Sequence, residues 1–228
     1  MPLPTISPNA SRGESPERSL PPAAPLVFVV DDDISVRESL EALIRTAGWE
    51  ARAFGSAEDF LSCPPAAGPN CLVLDVGLPD LNGLDLQASI AGERAGMPII
   101  FITGDGDVPT TVRAMKAGAA EFLTKPLNGE VLLSAIEAAL DRSRQTLSEQ
   151  ASLAALRERH ASLSRREREV MDLVVTGLLN KQVGGKLGIS EITVKAHRGR
   201  VMEKMGAASL AALVKMSARL PLAGADGA

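Results

Sequence analysis

CLVLDVGLPDLNG (residues 71–83) is the stretch that decides the fold: an apolar run ends in one carboxylate, Asp75, and opens into a loop with Gly and Pro. Apolar runs with little alternation are typical of parallel strands that are buried on both faces. LVFVV (26–30), PIIFIT (98–103) and AEFLTK (120–125) have the same character, and 51–54 fits an edge strand. Helix-like stretches separate these five segments. The alternation predicts an α/β doubly wound fold with a five-stranded parallel sheet, in which sites form at the carboxyl ends of strands.

The composition fits two small globular domains without a membrane anchor. The chain has 228 residues, 45% of them hydrophobic, and no apolar run approaches the roughly 18–20 residues of a membrane span. The N-terminal 25 residues are rich in Pro, Ser and charge and contain no apolar signal region, so we expect a disordered lead. Cys63 and Cys71 form neither a CxxC pair nor a metal cluster, which favours reduced thiols and a cytoplasmic protein.

The second half of the chain has a helical pattern. From Asn128 a long helical stretch predicts the last helix of a first domain (26–143), which continues as a helical linker (144–163). The linker is interpreted equally well as a solvated connector or as a dimer-forming helix. Four short helices separated by Gly then predict a compact helical domain (164–220), followed by a tail (221–228). Capping boxes at Ser35-x-x-Glu38 and Ser164-x-x-Glu167 are expected to begin two of the helices.

Charge is distributed unequally between the two predicted domains. Residues 26–141 carry 7 Lys/Arg and 18 Asp/Glu, a net of −11, whereas residues 164–220 carry 11 Lys/Arg and 5 Asp/Glu, a net of +6. Two neighbouring domains can differ in charge for no functional reason. The asymmetry nevertheless favours nucleic-acid binding by the second domain alone.

Acidic residues follow two strands whose ends should lie side by side. Asp31, Asp32 and Asp33 come directly after the first strand, and Asp75 ends the strand at 71–76. Two carboxylates about 5 Å apart repel by roughly 3 kcal/mol at an effective dielectric near 20, so the cluster needs a cation, and oxygen ligands suit Mg²⁺. The simpler alternative is that Asp32 or Asp33 only caps the next helix.

Two further polar residues end the later strands at the same edge of the sheet. Thr103 ends PIIFIT, and Lys125 ends AEFLTK just before Pro126. An ammonium and a hydroxyl beside an acidic cluster are the groups that an incoming phosphoryl group requires. Neither residue is informative alone, but their order and placement together predict a phosphoryl site.

With DDD, LDVGLPDLNG, FITG and EFLTKP in these positions, residues 26–141 resemble a response-regulator receiver domain, which has a flavodoxin-like fold. The resemblance implies that Asp75 accepts a phosphoryl group from a sensor histidine kinase, and that the chain modifies itself without being an enzyme for an external substrate. It implies contacts from Thr103 and Lys125 to the phosphoryl group, a switch made by Thr103 and Phe122, and a cis Lys125–Pro126 bond. The implied Mg²⁺ ligands are Asp31, Asp32, Asp75 and the backbone carbonyl of Gly77.

The segment TGDGDVPTTVRAMKAGAAEFLTKP (103–126) is most similar to the FixJ-type subgroup of response regulators. Asp105 departs from the subgroup, where His is expected. The extra negative charge near the site is expected to weaken acceptance of a phosphoryl group.

Residues 164–220 resemble the LuxR-type helix-turn-helix domain of FixJ and of the nitrate regulators of the NarL type, over LSRREREVMDLVVTGLLNKQVGGKLGISEITVKAHRGRVMEKMG. This implies a transcriptional regulator that binds double-stranded DNA through its third helix, with Lys195, Ala196 and Gly199 facing the major groove. The expected DNA-binding residues are Thr193, Lys195, Ala196, His197, Arg198, Gly199, Arg200 and Lys204. A charge run of this kind can also be only a solvated helix face.

Glycines depart from the pattern of this domain. Gly184 and Gly185 lie within one predicted helix and Gly199 within the next, and each Gly in a helix costs about 1 kcal/mol relative to Ala. We therefore expect a marginally stable helical domain that dimerisation or DNA stabilises. Its last helix, with Leu210, Leu213 and Val214 at helical spacing, either forms a dimer or completes the core.

Other classes of function fit the sequence less well. A phosphatase with an Asp nucleophile needs a second acid two residues later, where this chain has Gly77, and no P-loop or dinucleotide fingerprint is present. RNA binding lacks an aromatic platform. The alternative that stays open is a DNA-binding regulator whose receiver works through protein contacts without phosphorylation. The expected partners are the kinase, promoter DNA, a second copy of the phosphorylated chain and RNA polymerase.

Overall fold

The first domain is a five-stranded parallel sheet with helices on both faces. The computed structural model describes residues 24–220 apart from 80, 93, 95 and 105, so most of the predicted lead and the whole tail lie outside it. The strands are β1 (Leu26–Val30), β2 (Glu50–Phe54), β3 (Asn70–Asp75), β4 (Ile99–Thr103) and β5 (Glu121–Thr124). Their order is β2-β1-β3-β4-β5, the flavodoxin-like order, which confirms the predicted fold.

Five helices cover the two faces of this sheet. They are α1 (Ile34–Thr46), α2 (Ala57–Ser62), α3 (Gly83–Ile90), α4 (Val108–Lys116) and α5 (Gly129–Ala161). Helices α1 and α5 pack on one face, against side chains such as Val29 and Val73, and α2, α3 and α4 pack on the other, against Phe28 and Leu74. Because β1, β3 and β4 are buried on both faces, their sequences read as continuous apolar runs.

The start of α1 differs from the sequence prediction. The N-cap of α1 is Asp33, whose carboxylate accepts from the backbone N–H groups of Ser35 and Val36, so the predicted capping box at Ser35 is wrong. Helix α3, for which the sequence predicted no bounds, is capped by Asn82, whose side-chain oxygen accepts from the backbone N–H of Leu84.

Helix α5 is one continuous helix that enters the cores of both domains. Leu132, Ile136 and Leu140 belong to the core beneath the sheet, and Leu156 belongs to a core cluster of the helical domain. The middle of the helix, 144–155, is mostly exposed. The predicted linker therefore ends inside the second domain's core, to which Leu163 also contributes.

Four short helices form the second domain, as the sequence predicted. They are α6 (Arg165–Val174), α7 (Asn180–Leu187), α8 (Glu191–Met205) and α9 (Leu210–Arg219). The capping box at the start of α6 is present, since Ser164 and Glu167 each bond the other's backbone N–H. None of the helices among the described residues has the length and apolar character that crossing a bilayer requires.

The glycines of α7 are not equivalent. A Cβ atom on Gly184 would lie 2.7 Å from the backbone oxygen of Ile189, whereas one on Gly185, or on Gly199 of α8, would meet no atom of the described residues within 4 Å. Gly184 is therefore needed for the close approach between α7 and the turn that precedes α8. The expected cost of Gly relative to Ala in a helix applies to Gly185 and Gly199. At Gly184 this expectation is wrong, because Ala would not fit there.

Replacing Gly185 and Gly184 by Ala should have opposite effects on stability. Gly185→Ala should raise the free energy of unfolding by about 0.5–1 kcal/mol because it removes backbone entropy from the unfolded chain. Gly184→Ala should lower it by about 1–3 kcal/mol because the new methyl group overlaps the Ile189 backbone. Urea unfolding followed by circular dichroism at 222 nm would measure both, and equal effects of the two substitutions would contradict this account.

Candidate functional site

Three carboxylates meet at the carboxyl edge of the sheet. Ligand oxygens of Asp31, Asp32 and Asp75 all lie within 4.8 Å of one another. Strands β1 and β3 are hydrogen-bonded neighbours, with Val30 opposite Leu74, so the residues that follow them are adjacent. Asp31 is fully buried and Asp75 is 6% exposed, while Asp32 faces solvent. The donor set, all of it hard oxygen, fits a magnesium ion that keeps some of its water.

The ammonium of Lys125 is placed between two of these carboxylates. Its Nζ lies 2.7 Å from Asp31 Oδ2 and 3.4 Å from Asp75 Oδ1. The Lys125 backbone N–H also donates to Thr103 O at 2.7 Å, so the residue is held at the sheet edge from both its ends. The Lys125–Pro126 peptide bond is cis, as the resemblance implied. One cation thus offsets part of the repulsion among three acids.

The pKa values at this edge follow from burial and charge. Burial raises the pKa of the Asp75 carboxyl, Lys125 counteracts this, and the charges of Asp31 and Asp32 raise it further. Burial alone would lower the pKa of Lys125, but the hydrogen bond to Asp31 and the charges of Asp75 and Asp31 raise it. Asp75 is therefore a poorly solvated carboxylate that gains from any added positive charge.

The other expected site residues lie close by. Thr103 is 5% exposed at the end of β4, one strand from Asp75. A Cβ atom on Gly77 would lie 3.5 Å from Asp75 Oδ2, so the loop that follows β3 runs beside the carboxylate. Phe122 is half-buried on β5, with its ring centroid 6.2 Å from that of Phe101. Asp105, the residue expected to weaken the site, lies outside the described residues.

Two supporting residues were missed at the sequence level. Arg37 Nη1 donates to the backbone oxygen of Asp31 at 2.6 Å. A Cβ atom on Gly83 would lie 2.7 Å from the backbone oxygen of Asp75, so only Gly lets α3 begin directly behind the acidic loop. The signals were an Arg one turn into α1 and the Asn82–Gly83 pair, but neither shows its partner from sequence alone.

In the helical domain, seven of the eight expected DNA-binding residues separate into two groups on α8. Exposed residues form the first group: Thr193, Lys195, Ala196, Gly199 and Arg200. His197 and Arg198 are half-buried and lie toward α7 and the core, and Arg198 Nη1 donates to Asn180 Oδ1 at 3.2 Å. The Nδ1 atom of His197 is buried and has no hydrogen-bond partner among the residues that the structure describes. The outward surface that can meet a ligand is therefore smaller than the whole basic run.

Lys204 has an intramolecular partner. Its Nζ lies 2.7 Å from Glu167 Oε2 and 3.3 Å from the backbone oxygen of Ser162. Glu167 is only 3% exposed, and its hydrogen bonds to Lys204 and Ser164 lower its pKa to about 2. Lys204 therefore ties the end of α8 to the start of α6, and the structure gives it a role in holding the domain together.

Both domains match known protein families. Residues 27–137 match the response regulator receiver domain, and residues 161–217 match the bacterial regulatory proteins of the luxR family. Nodulation protein W of Bradyrhizobium diazoefficiens is 53% identical over 86% of each chain. The transcriptional regulatory protein FixJ of Azorhizobium caulinodans is 42% identical over 89% of this chain and 96% of its own. A solved structure of the response regulator StyR has a TM-score of 0.78 and 45% identity, covering 87% of this chain and all of that one.

The fold and the acidic edge define a receiver joined to a DNA-binding domain. The chain belongs to the two-component response regulators of the FixJ type, with a LuxR-type helix-turn-helix. This is a family of transcriptional regulators and not a catalytic family, and membership implies a histidine kinase partner and DNA binding. The predictions from sequence of the family, the fold class and the general function are confirmed.

Lys204→Met should destabilise the protein far more than Lys195→Met. The first substitution leaves the buried Glu167 carboxylate without its cation and should cost about 1–3 kcal/mol at pH 7, whereas the exposed Lys195 should matter by less than about 0.5 kcal/mol. Folding lowers the pKa of Glu167 from 4.5 to about 2. The contribution of its ion pair to the free energy of unfolding is therefore complete above pH 4.5 and is lost as the pH falls toward 2. Urea unfolding at pH 7 and at pH 3 would measure this, and a Lys204→Met cost that does not shrink in acid would contradict it.

Proposed function

We propose that Asp75 accepts a phosphoryl group from a sensor histidine kinase and that phosphorylation controls binding of α8 to promoter DNA. The observation that carries the proposal is the position of Lys125, within 2.7 Å of Asp31 and 3.4 Å of Asp75, beside a three-carboxylate cluster. A half-buried cation beside an acidic cluster that it only partly neutralises suits a ligand that brings both negative oxygens and a divalent ion. A phosphoryl group with Mg²⁺ is such a ligand.

The proposed step is a transfer between two nucleophiles. A carboxylate oxygen of Asp75 attacks the phosphorus of a phosphohistidine, the P–N bond breaks as the new P–O bond forms, and the kinase imidazole leaves with the electron pair. The other ring nitrogen of the phosphohistidine carries a proton that stays on the imidazole, so the products are an acyl phosphate on Asp75 and a neutral histidine, and no further reactant is needed. Positioning and charge neutralisation supply most of the catalysis in such transfers.

Mg²⁺ would be held by Asp31, Asp32, Asp75 and the backbone carbonyl of Gly77, and when bound it neutralises charge on the phosphoryl oxygens. The buried hydroxyl of Thr103 would donate to one of these oxygens. Lys125 would exchange part of its pairing with Asp75 for a phosphoryl oxygen, since its Nζ already lies between the two acids. Phe122, whose neighbour on β4 is Phe101, two residues before Thr103, would follow the movement of Thr103.

The output follows from a shift between two receiver states. We propose that phosphorylation favours a homodimer, for which the exposed apolar residues Val108, Val112 and Met115 of α4 offer a surface. A dimer would place two copies of α8 in successive major grooves, on half-sites about 10 bp apart or a multiple of that. Lys195 and Arg200 would bind phosphates or base edges, with Thr193, Ala196 and Gly199 beside them. RNA polymerase is the proposed partner at the promoter, and a cytoplasmic location is proposed together with these partners.

The test of the acceptor is the intact mass of the full chain after incubation with acetyl phosphate. With Mg²⁺ the wild type should gain one phosphoryl group that hydroxylamine removes, because an acyl phosphate is labile to it. Asp75→Asn should gain none, and the wild type in EDTA should gain little.

Asp141→Asn, which changes an exposed carboxylate on α5, serves as the matched control and should be modified like the wild type. Trp49 fluorescence would verify that each variant is folded. Modification of Asp75→Asn equal to that of the wild type would reject the acceptor. No modification of the folded wild type would favour the regulator that works without phosphorylation.

A further inference from the structure

We infer that Ile192 determines sequence specificity by contacting the C5 methyl groups of thymine in the major groove. The inference rests on the proposed binding of DNA by α8. Ile192 is not one of the DNA-binding residues expected from the sequence, and the thymine methyl group is the base feature that it would recognise.

The orientation of α8 is fixed by its buried residues. Val194, Val201 and Met205 are almost fully buried, and at 100° per residue they lie within about 40° of one another around the helix. The side of α8 that faces away from the core is therefore defined without reference to any ligand. Along that outward side lie Ile192, Ala196, Gly199 and Glu203, all of them exposed.

The outward side presents an unusual series of side chains. Ile192 stands at its N-terminal end and is 83% exposed, more than any other large apolar side chain in the described part of the chain. Ala196 and Gly199 follow it one and two turns later, and a Cβ atom on Gly199 would meet nothing within 4 Å in the described part of the chain. Because the two residues that follow Ile192 on this side have small side chains, the backbone of α8 can come close to the floor of a groove.

Charges are placed on the two margins of this outward side. By helical geometry Lys195 lies on one margin and Arg200 on the other, where both are exposed and can reach phosphates. Glu203, at the C-terminal end, would be repelled by phosphates. The N-terminal half of α8, which carries Ile192, is therefore the half that would enter the groove deepest.

The chemistry of the central positions limits what they can recognise. Ile192, Ala196 and Gly199 have no hydrogen-bonding side chain, and the hydroxyl of the nearby Thr193 already pairs with Ser190 at 2.8 Å. In the major groove the thymine methyl group is the base feature that apolar side chains contact. An exposed Ile gains no stabilisation from burial. As a β-branched residue it is also a weaker helix former than Ala, so helix stability does not account for an Ile at this position.

The experiment uses the phosphodonor-treated full chain to enrich duplexes from a random pool. Thymines of the enriched duplex are then replaced by uracil one at a time, which removes only the methyl group, and Kd is measured at fixed salt. At one or two positions the wild type should bind the uracil duplex roughly three- to fivefold more weakly, the factor expected for one buried methyl group. At the same positions Ile192→Ala should change by less than twofold, and it should bind the thymine duplex about as weakly as the wild type binds the uracil duplex.

Leu61→Ala, which shortens an exposed aliphatic side chain on α2 of the receiver, is the control and should respond to uracil like the wild type. If the wild type is indifferent to every uracil, or if Ile192→Ala is equally sensitive, the role of Ile192 is rejected while DNA binding stands. If no duplex is enriched at all, the proposed DNA-binding function itself fails, and Ile192 has no base to read.

Discussion

The bridge that Lys125 makes to Asp31 and Asp75 is the interaction on which the receiver depends. Carboxylates about 5 Å apart repel by roughly 3 kcal/mol at an effective dielectric near 20. Here three of them lie together at a partly buried edge of the sheet. The carboxylates come together because β1 and β3 are paired in the sheet. The cation that offsets their repulsion follows β5, two strands beyond β3. Arg37 holds the backbone of Asp31 in place, and Gly83 lets α3 begin against the backbone of Asp75. A site that is only partly neutralised in this way is ready for a divalent ion and an anionic group.

Helix α5 joins this edge to the rest of the molecule. The helix begins three residues after Pro126, contributes Ile136 and Leu140 to the receiver core, and contributes Leu156 to the core around Met171 and Val201. The second domain is fastened to the same helix by Arg159, which donates to Met205 O at 3.4 Å. A change in the receiver that moved α5 would therefore act on the packing of the domain that carries α8. The helix offers a physical connection, and its use as a signal path is part of the proposal.

Much of the fold could be predicted because its signals are local. Buried strands read as apolar runs, Gly and capping residues mark helix ends, and strand-end residues such as Thr103 and Lys125 can be assigned to one edge of a parallel sheet. What could not be predicted are contacts between residues distant in sequence. Lys204 looks like another cation of a DNA-binding helix until Glu167, 37 residues earlier, is seen beside it. Gly184 looks like a helix defect until the Ile189 backbone is found against it.

The central claim is that phosphorylation of the receiver changes DNA binding by α8. The most direct measurement is the Kd of the full chain for an enriched duplex, at one salt concentration, before and after treatment with acetyl phosphate and Mg²⁺. Binding should be roughly 5- to 150-fold tighter after treatment, the usual range of coupling between two sites, with no change in Asp75→Asn. Equal affinity of the wild type before and after confirmed phosphorylation would contradict it.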